Sequence, residues 1–459
     1  MDGIGMRLNA VLRKFDSRMN PIVVKELRQI SRGKFLPVIL IGFLFTQLTV
    51  TGAAILYNRG SANPGLLLYQ TLFSFLTGVC SVLIPAYAGF RLAQERSGAN
   101  KDLLFISTLK PASIVLGKAL SAAILAALIY SVCMPFIAMT YILRGIDLPS
   151  AFLQLFVSYV MMLLIIHVGI MIACLPMSRG MIGLTYIFLI LWGLVVGFVD
   201  IWNSGSNLLV AALSKIDLAE ALGLVGILTL WMGAVFSISA ALLAPPSSNR
   251  ALVPRVYVSA AWAVSLVGVL VWCEMNGSYR QIFGWMSSCA ALFAFALIFS
   301  VSERNKLGAR VRETIPRSRG RRAFAFLFYS GSAGGFLWAS IGLVLTIAVG
   351  SVAVSAASAT VSSSQFEEAL SILCRTSLYA WIGTTGAVLI LHKFLKSQRN
   401  DFHDWTIALV IMMVFAWIMS DWPIAAVAAV AAAMVCLCIP WIIRHASAFK
   451  PLPLKTAGT

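Results

Sequence analysis

Apolar residues in this chain come in long unbroken runs, not in the short alternations of a soluble globule. They occupy residues 35–57, 66–90, 119–141, 151–175, 181–202, 219–243, 256–275, 281–301, 324–354, 378–391, 405–420 and 422–443. A helical crossing of a bilayer takes about 20 predominantly apolar residues, so the pattern predicts an all-α polytopic membrane protein with about twelve transmembrane helices. The run 324–354 exceeds the length of one crossing, and 378–391 and 405–420 are short. Three regions follow: an amphipathic cytoplasmic elbow at 1–34, a six-span unit at 35–243 and a second six-span bundle at 244–459.

Between the runs, basic residues alternate in density. With residues 1–34 taken as inside, the inside segments hold 30 of the 35 Lys and Arg, and the outside connections hold only Arg59, Arg144, Lys215, Arg280 and Arg375. Cytoplasmic loops collect Lys and Arg, so the chain reads as N-in and C-in. The polar connections on both sides are too short to hide a folded catalytic domain.

Composition agrees: 60% of the 459 residues are hydrophobic and 11% are charged, too little charge to solvate a globule of this size. The formal net charge of +18 would suggest nucleic acid for a soluble protein. Here it is accounted for by the inside loops facing anionic lipid, so membrane lipid is an expected partner and nucleic acid is not. The eight cysteines fall nearly all inside apolar runs, without a pair of CxxC elements, which points to packing and not to a zinc or disulfide framework. The first apolar run is long enough to cross and follows about 34 polar and basic residues, unlike a cleaved signal.

Two short polar segments stand out. Residues 6–18 place Leu8, Val11, Leu12 and Phe15 on one helical face, and a second short helix starts at Asn20 and Pro21. Asn is a good N-cap, and Pro at the first helical position loses no hydrogen bond. Val23, Leu27 and Ile30 form its apolar stripe, with Lys25, Arg28 and Arg32 exposed, as expected of a helix lying on the membrane surface before the first span. The other segment, residues 91–118, is charged but holds an apolar knot, Leu103-Leu104-Phe105-Ile106. Four apolar residues cannot span a membrane, so the knot must dock on something.

Candidate chemistry within the chain is sparse. Gly33-Lys34 and Gly117-Lys118 lack the rest of the GxxxxGK[ST] phosphate loop, so ATP-driven work would need another chain. His167 lies within an apolar run and is expected to be bonded inside the bundle; Asp200, Glu274, Glu303 and Asp421 fall at run ends. No paired acids or His/Asp cluster stand at helical spacing, which argues against an intramembrane enzyme and a proton-coupled carrier. No catalytic or metal-ligating residue is assigned. The pairs Gly193/Gly197 and Gly331/Gly335 would allow close helix approach, and the basic stretch 303–322 reads as a lipid-facing loop.

The elbow Asn20-Pro21-Ile22-Val23-Val24-Lys25-Glu26-Leu27-Arg28 and the loop elements Glu95-Arg96-Ser97-Gly98, Asp102-Leu103-Leu104, Thr108, Pro111 and Leu116-Gly117-Lys118 together resemble the type 2 ATP-binding-cassette (ABC) permeases. The resemblance covers roughly residues 19–243. It departs from the family pattern at Ala99-Asn100-Lys101, and Pro111 lies three residues beyond Thr108. It implies that residues 91–118 carry the coupling helix on which a separate ABC ATPase subunit docks. Glu95, Arg96, Gly98, Asp102, Leu103, Leu104, Ile106, Pro111, Gly117 and Lys118 would form the coupling segment, and Asn20, Pro21, Lys25, Glu26, Leu27 and Arg28 the elbow. The chain would then be the membrane subunit of a transporter, an exporter, in a bacterial-type cytoplasmic (inner) membrane. It would bind no cofactor, with ATP used by the partner. Residues 244–459 lack the signature, which leaves a degenerate second half (a pseudo-dimer) and an accessory bundle beside a homodimer both open. The rival functions are a secondary carrier and a membrane assembly protein without transport.

Overall fold

A computed structural model describes residues 21–57, 64–96, 110–143, 146–175, 183, 185–187, 218–245, 247–276, 280–303, 305, 307–356, 363–391 and 404–451. Among these, nine helices are long and apolar enough to cross a membrane, and the chain is an all-α, multi-span membrane protein. It divides into two compact units, Met1–Leu243 and Ala244–Thr459.

The first unit contains α1 (Pro21–Arg32), α2 (Phe35–Tyr57), α3 (Pro64–Glu95), α4 (Pro111–Ile142), α5 (Leu148–Cys174) and α6 (Leu218–Leu243). Its core is the seam between α3, α4 and α5, where Tyr69, Phe73, Leu76, Cys80 and Ile84 of α3 meet Leu125 and Ile129 of α4 and Ile166 and Ile170 of α5. Polar atoms in this seam are paired within it: Tyr69 Oη donates to Gln154 Oε1 at 2.7 Å, and Tyr159 Oη to the Ala123 carbonyl at 3.0 Å. Such pairing is required where no water competes for the bond. Pro85 sits within α3, and a Cβ on Gly169 of α5 would lie 2.8 Å from the Pro85 Cβ, so the two helices touch backbone to ring there. The expected bundle-internal bond of His167 is to its own helix: Nδ1 lies 2.7 Å from the Leu163 carbonyl oxygen.

The second unit contains α7 (Leu252–Asn276), α8 (Arg280–Ser300), α9 (Ala309–Glu313), α10 (Arg319–Phe328), α11 (Ser332–Ala356), α12 (Ser363–Leu389), α13 (Asp404–Ile418) and α14 (Ile424–Ala448). Indole N–H groups cross-link its helices. Trp262 donates to Thr346 at 2.9 Å, Trp285 to Ser265 at 2.8 Å, Trp338 to Ser259 at 3.0 Å and Trp381 to Ser340 at 2.9 Å. Apolar side chains still exposed on α2 and α7, such as Phe45, Leu48, Val264 and Val267, are those that lipid would cover.

Three features depart from the hydropathy pattern. The long run 324–354 is two elements: basic, amphipathic α10 ends at Phe328, and α11 starts at Ser332 after an extended Tyr329. The run at 378–391 is the end of a longer helix, α12, whose first half carries Glu367, Glu368 and Arg375; helices outlast their apolar stretch where the ends reach polar surroundings. α13 is 15 residues long, short for a straight crossing. Most of the run 181–202 lies outside the described residues, as do residues 6–18, Gly193 and Gly197. Cys80, Cys133, Cys174, Cys273 and Cys438 are buried thiols without disulfide partners.

Candidate functional site

The short helix α1 buries Val23, Glu26 and Ile30, at i, i+3 and i+7, against the first unit. Two of these continue the apolar stripe read from sequence; Glu26 does not. A carboxylate in that position must find a cation, because an ionised carboxylate removed from water unpaired costs several kcal/mol. The partner is Lys118, in the second turn of α4, whose Nζ lies 2.6 Å from Glu26 Oε1 and 2.9 Å from Glu95 Oε2 at the end of α3. The Glu26 and Lys118 side chains are 3% and 2% exposed. Lys25 completes the other side of Glu95 at 3.1 Å, and Arg91 approaches Glu26 at 3.8 Å. Arg91 is held by the Tyr87 hydroxyl one turn earlier, at 2.7 Å, and lies over that ring.

Three cations and two carboxylates from α1, α3 and α4 therefore form one cluster. Its inner member, Lys118, is fully enclosed, while Lys25 is mostly exposed. The inner contacts are short and charge-assisted; the Lys25 contact is a surface pair worth at most about 1 kcal/mol. Arg96, directly after α3, donates to the Ala173 carbonyl at 2.6 Å and the Leu175 carbonyl at 3.3 Å. The last carbonyls of a helix have no partner within it, so Arg96 caps α5 from a neighbouring chain segment. Burial holds its guanidinium below its ordinary value.

Of the residues singled out from sequence, Lys25, Glu26, Glu95 and Lys118 come together. Pro21 opens α1 and Pro111 opens α4, each at the first helical position; Gly117 is buried beside Lys118. Leu27 and Arg28 turn away from the ion cluster toward a separate groove. Asn20, Gly98, Asp102, Leu103, Leu104 and Ile106 lie outside the described residues. Arg91 and Tyr87 were not singled out, although an Arg one turn before Glu95 was a signal available in the sequence.

The second unit has its own charged junction. Arg255 of α7 pairs with Glu303 after α8, and its Nη1 donates to the carbonyls of Leu327 at 2.7 Å and Tyr329 at 2.9 Å. Glu303 Oε2 accepts from Gly331 N at 3.0 Å, and Asn305 Oδ1 from Ser332 N at 2.9 Å. The break between α10 and α11 thus has its free carbonyls met by a cation and its free N–H groups met by acceptors, which also suits both helix dipoles. Gly335 permits this: a Cβ there would lie 2.7 Å from Arg255 Nη2 and 3.0 Å from Ser300 Cβ. Of the Gly331/Gly335 pair, Gly335 is the one at a close approach; a Cβ on Gly331 would meet Asn305 Oδ1 at an ordinary 3.7 Å.

No known protein family, curated protein or solved structure matches the chain.

Proposed function

We propose that the chain is the membrane-spanning subunit of an ATP-driven transporter, an exporter, and that a separate ATPase of the ABC type docks on residues 91–118 at the cytoplasmic face. One observation carries the reading: the side chains on either side of that loop, Glu95 and Lys118, are joined to each other and to the elbow helix through Glu26 and Lys25. A force applied to the loop would be delivered to α3, α4 and α1 together, because displacing any one of them separates buried opposite charges. Arg96 extends the same linkage to the end of α5. The apolar knot Leu103-Leu104-Phe105-Ile106 supplies the docking plug, and charges around it would set orientation. On this reading both termini are inside, about twelve helices cross a bacterial-type inner membrane, and ATP is bound and hydrolysed only by the partner.

The test is a pull-down and a crosslink. The chain should co-purify with a soluble ATPase, lose it when Leu103 and Leu104 are changed to Glu, and crosslink to it from a cysteine placed at Ile106 with a yield that changes on adding nucleotide. Transport by the purified chain with no nucleotide would identify a secondary carrier instead. An intact chain that neither transports nor retains an ATPase would be an assembly protein.

A further inference from the structure

Beside the ion cluster, on the opposite flank of α1, lies a groove of about 500 Å³ between α1, the start of α2 and α4. Its walls are Leu27, Ile30, Leu36, Ile124, Leu125 and Leu128, and its two polar residues are Arg28 and Ser31. The volume is in the range of small-molecule sites. The outer wall is continuous with the exposed leucines Leu116, Leu120 and Leu128 of α4, which lie four and eight residues apart on one helix face, with half-buried Ile124 between the last two, and face lipid in a spanning helix. One end of the groove therefore opens on hydrocarbon.

The lining also carries a cation. Arg28 is exposed, and its side chain has no ion-pair partner among the described residues. Among the described residues no acid lines the groove; the one acid of α1, Glu26, is turned inward to Lys118. Apolar walls with an unpaired guanidinium at the rim match a molecule with a hydrocarbon chain and an anionic head. A neutral helix from a second copy of the chain would leave Arg28 desolvated and unpaired, which is costly. We infer that this groove is a binding site for one anionic phospholipid of the surrounding bilayer, with an acyl chain against Ile124 and Leu128 and the phosphate on Arg28. Guanidinium offers phosphate two parallel donors, while the Ser31 hydroxyl is engaged in donating to the Arg28 carbonyl at 3.1 Å. The occupied groove would brace α1 from the flank opposite its charged contacts. This inference does not depend on the ATPase reading, and its test involves no ATPase.

The test uses the full chain purified in detergent, titrated with dioleoyl phosphatidylglycerol or dioleoyl phosphatidylcholine and read by native mass spectrometry. Phosphatidylglycerol is expected to bind more tightly. Arg28→Gln should weaken it by about tenfold or more, the scale of one charge-assisted contact, and weaken phosphatidylcholine, whose phosphate is offset by its own choline cation, by less. Ile124→Trp, which fills the groove, should weaken both lipids. Arg321→Gln, on basic α10, should weaken phosphatidylglycerol less than Arg28→Gln does and leave phosphatidylcholine unchanged. Equal binding of the two lipids, or an equal loss from Arg28→Gln and Arg321→Gln, overturns the site. So does an Ile124→Trp variant that dissociates a dimer while lipid binding persists, because the groove is then an interface between copies. If Arg28→Gln does not fold, Arg28→Lys keeps the charge without the planar fork: a several-fold loss of phosphatidylglycerol supports the site and no loss overturns it.

Discussion

In the first unit a buried lysine, Lys118, meets two carboxylates from two other segments; in the second a buried arginine, Arg255, meets one carboxylate and the carbonyls of a helix break. The difference lies in what each cation satisfies. Carbonyls and N–H groups at a helix break have fixed positions and few alternative partners, so Arg255 and Glu303 hold one backbone geometry. Lys118, Glu26, Glu95, Lys25 and Arg91 are all side chains with rotatable stems and a mixed exposure, so the cluster sets which segments meet without meeting the backbone groups of a helix break. The helix ties differ in the same sense. Tyrosine hydroxyls join the helices of the first unit, while in the second indole N–H groups donating to Ser and Thr of α7 and α11 join four helices, α7, α8, α11 and α12. The junction of the second unit is tied through backbone groups, and that of the first through side chains that join α1, α3 and α4.

The comparison can be broken most forcefully at its two cations. Lys118→Met should cost about 3–5 kcal/mol, because it leaves Glu26 and Glu95 without their shared partner. Thermal unfolding in detergent measures it. The double variant Lys118→Met with Glu26→Gln should recover part of the loss, whereas no Glu303 substitution should rescue Arg255→Met, whose carbonyl partners remain. A rescue there would remove the distinction between the junctions. Next in size, Gly335→Ala should cost about 1–3 kcal/mol through overpacking against Arg255 and Ser300. Gly268→Ala in α7, where nothing lies within 4 Å, should be neutral or slightly stabilising, so equal shifts in melting temperature would contradict the packing described.

Trp381→Phe removes the indole bond to Ser340 and should cost about 0.6 kcal/mol, the usual scale of an interhelical hydrogen bond in a membrane, read as a small drop in the unfolding midpoint. Lys25→Gln should cost less than about 1 kcal/mol, and its effect should vanish in high salt because the pair with Glu95 is largely exposed. The smallest effect belongs to Asp147, which caps α5 by accepting from the Ser150 amide at 3.2 Å and hydroxyl at 2.8 Å. Those bonds hold its carboxyl below the ordinary carboxylate value. Its stabilisation is therefore present at neutral pH and fades as the pH falls below the ordinary carboxylate range. Asp147→Ala should flatten that acid-side slope and leave the rest of the pH profile unchanged.

Several site residues could be read from the chain without its fold. Pro21 and Pro111 open helices for reasons internal to their own dipeptides, and the amphipathic character of α1 is visible in Val23 and Ile30. The ion cluster could be suspected from the charges near the loop, but not assembled. Glu26 looks like one more polar residue on a surface helix until Lys118, 92 positions later, is brought to 2.6 Å. The same holds for Arg255, whose carbonyl partners lie more than 70 positions away.

By itself the sequence determined that this is a helical protein of the membrane and where most of its long apolar segments lie, because transfer from water to hydrocarbon is a local property that sums over consecutive residues. Only the tertiary structure decided that the run 324–354 breaks after Phe328, that Glu26 points inward, and that Arg28 borders a groove. Each of these depends on which distant segment supplies a partner for a polar group removed from water. That pairing is set by the packing of whole helices, and no window of neighbouring residues contains it.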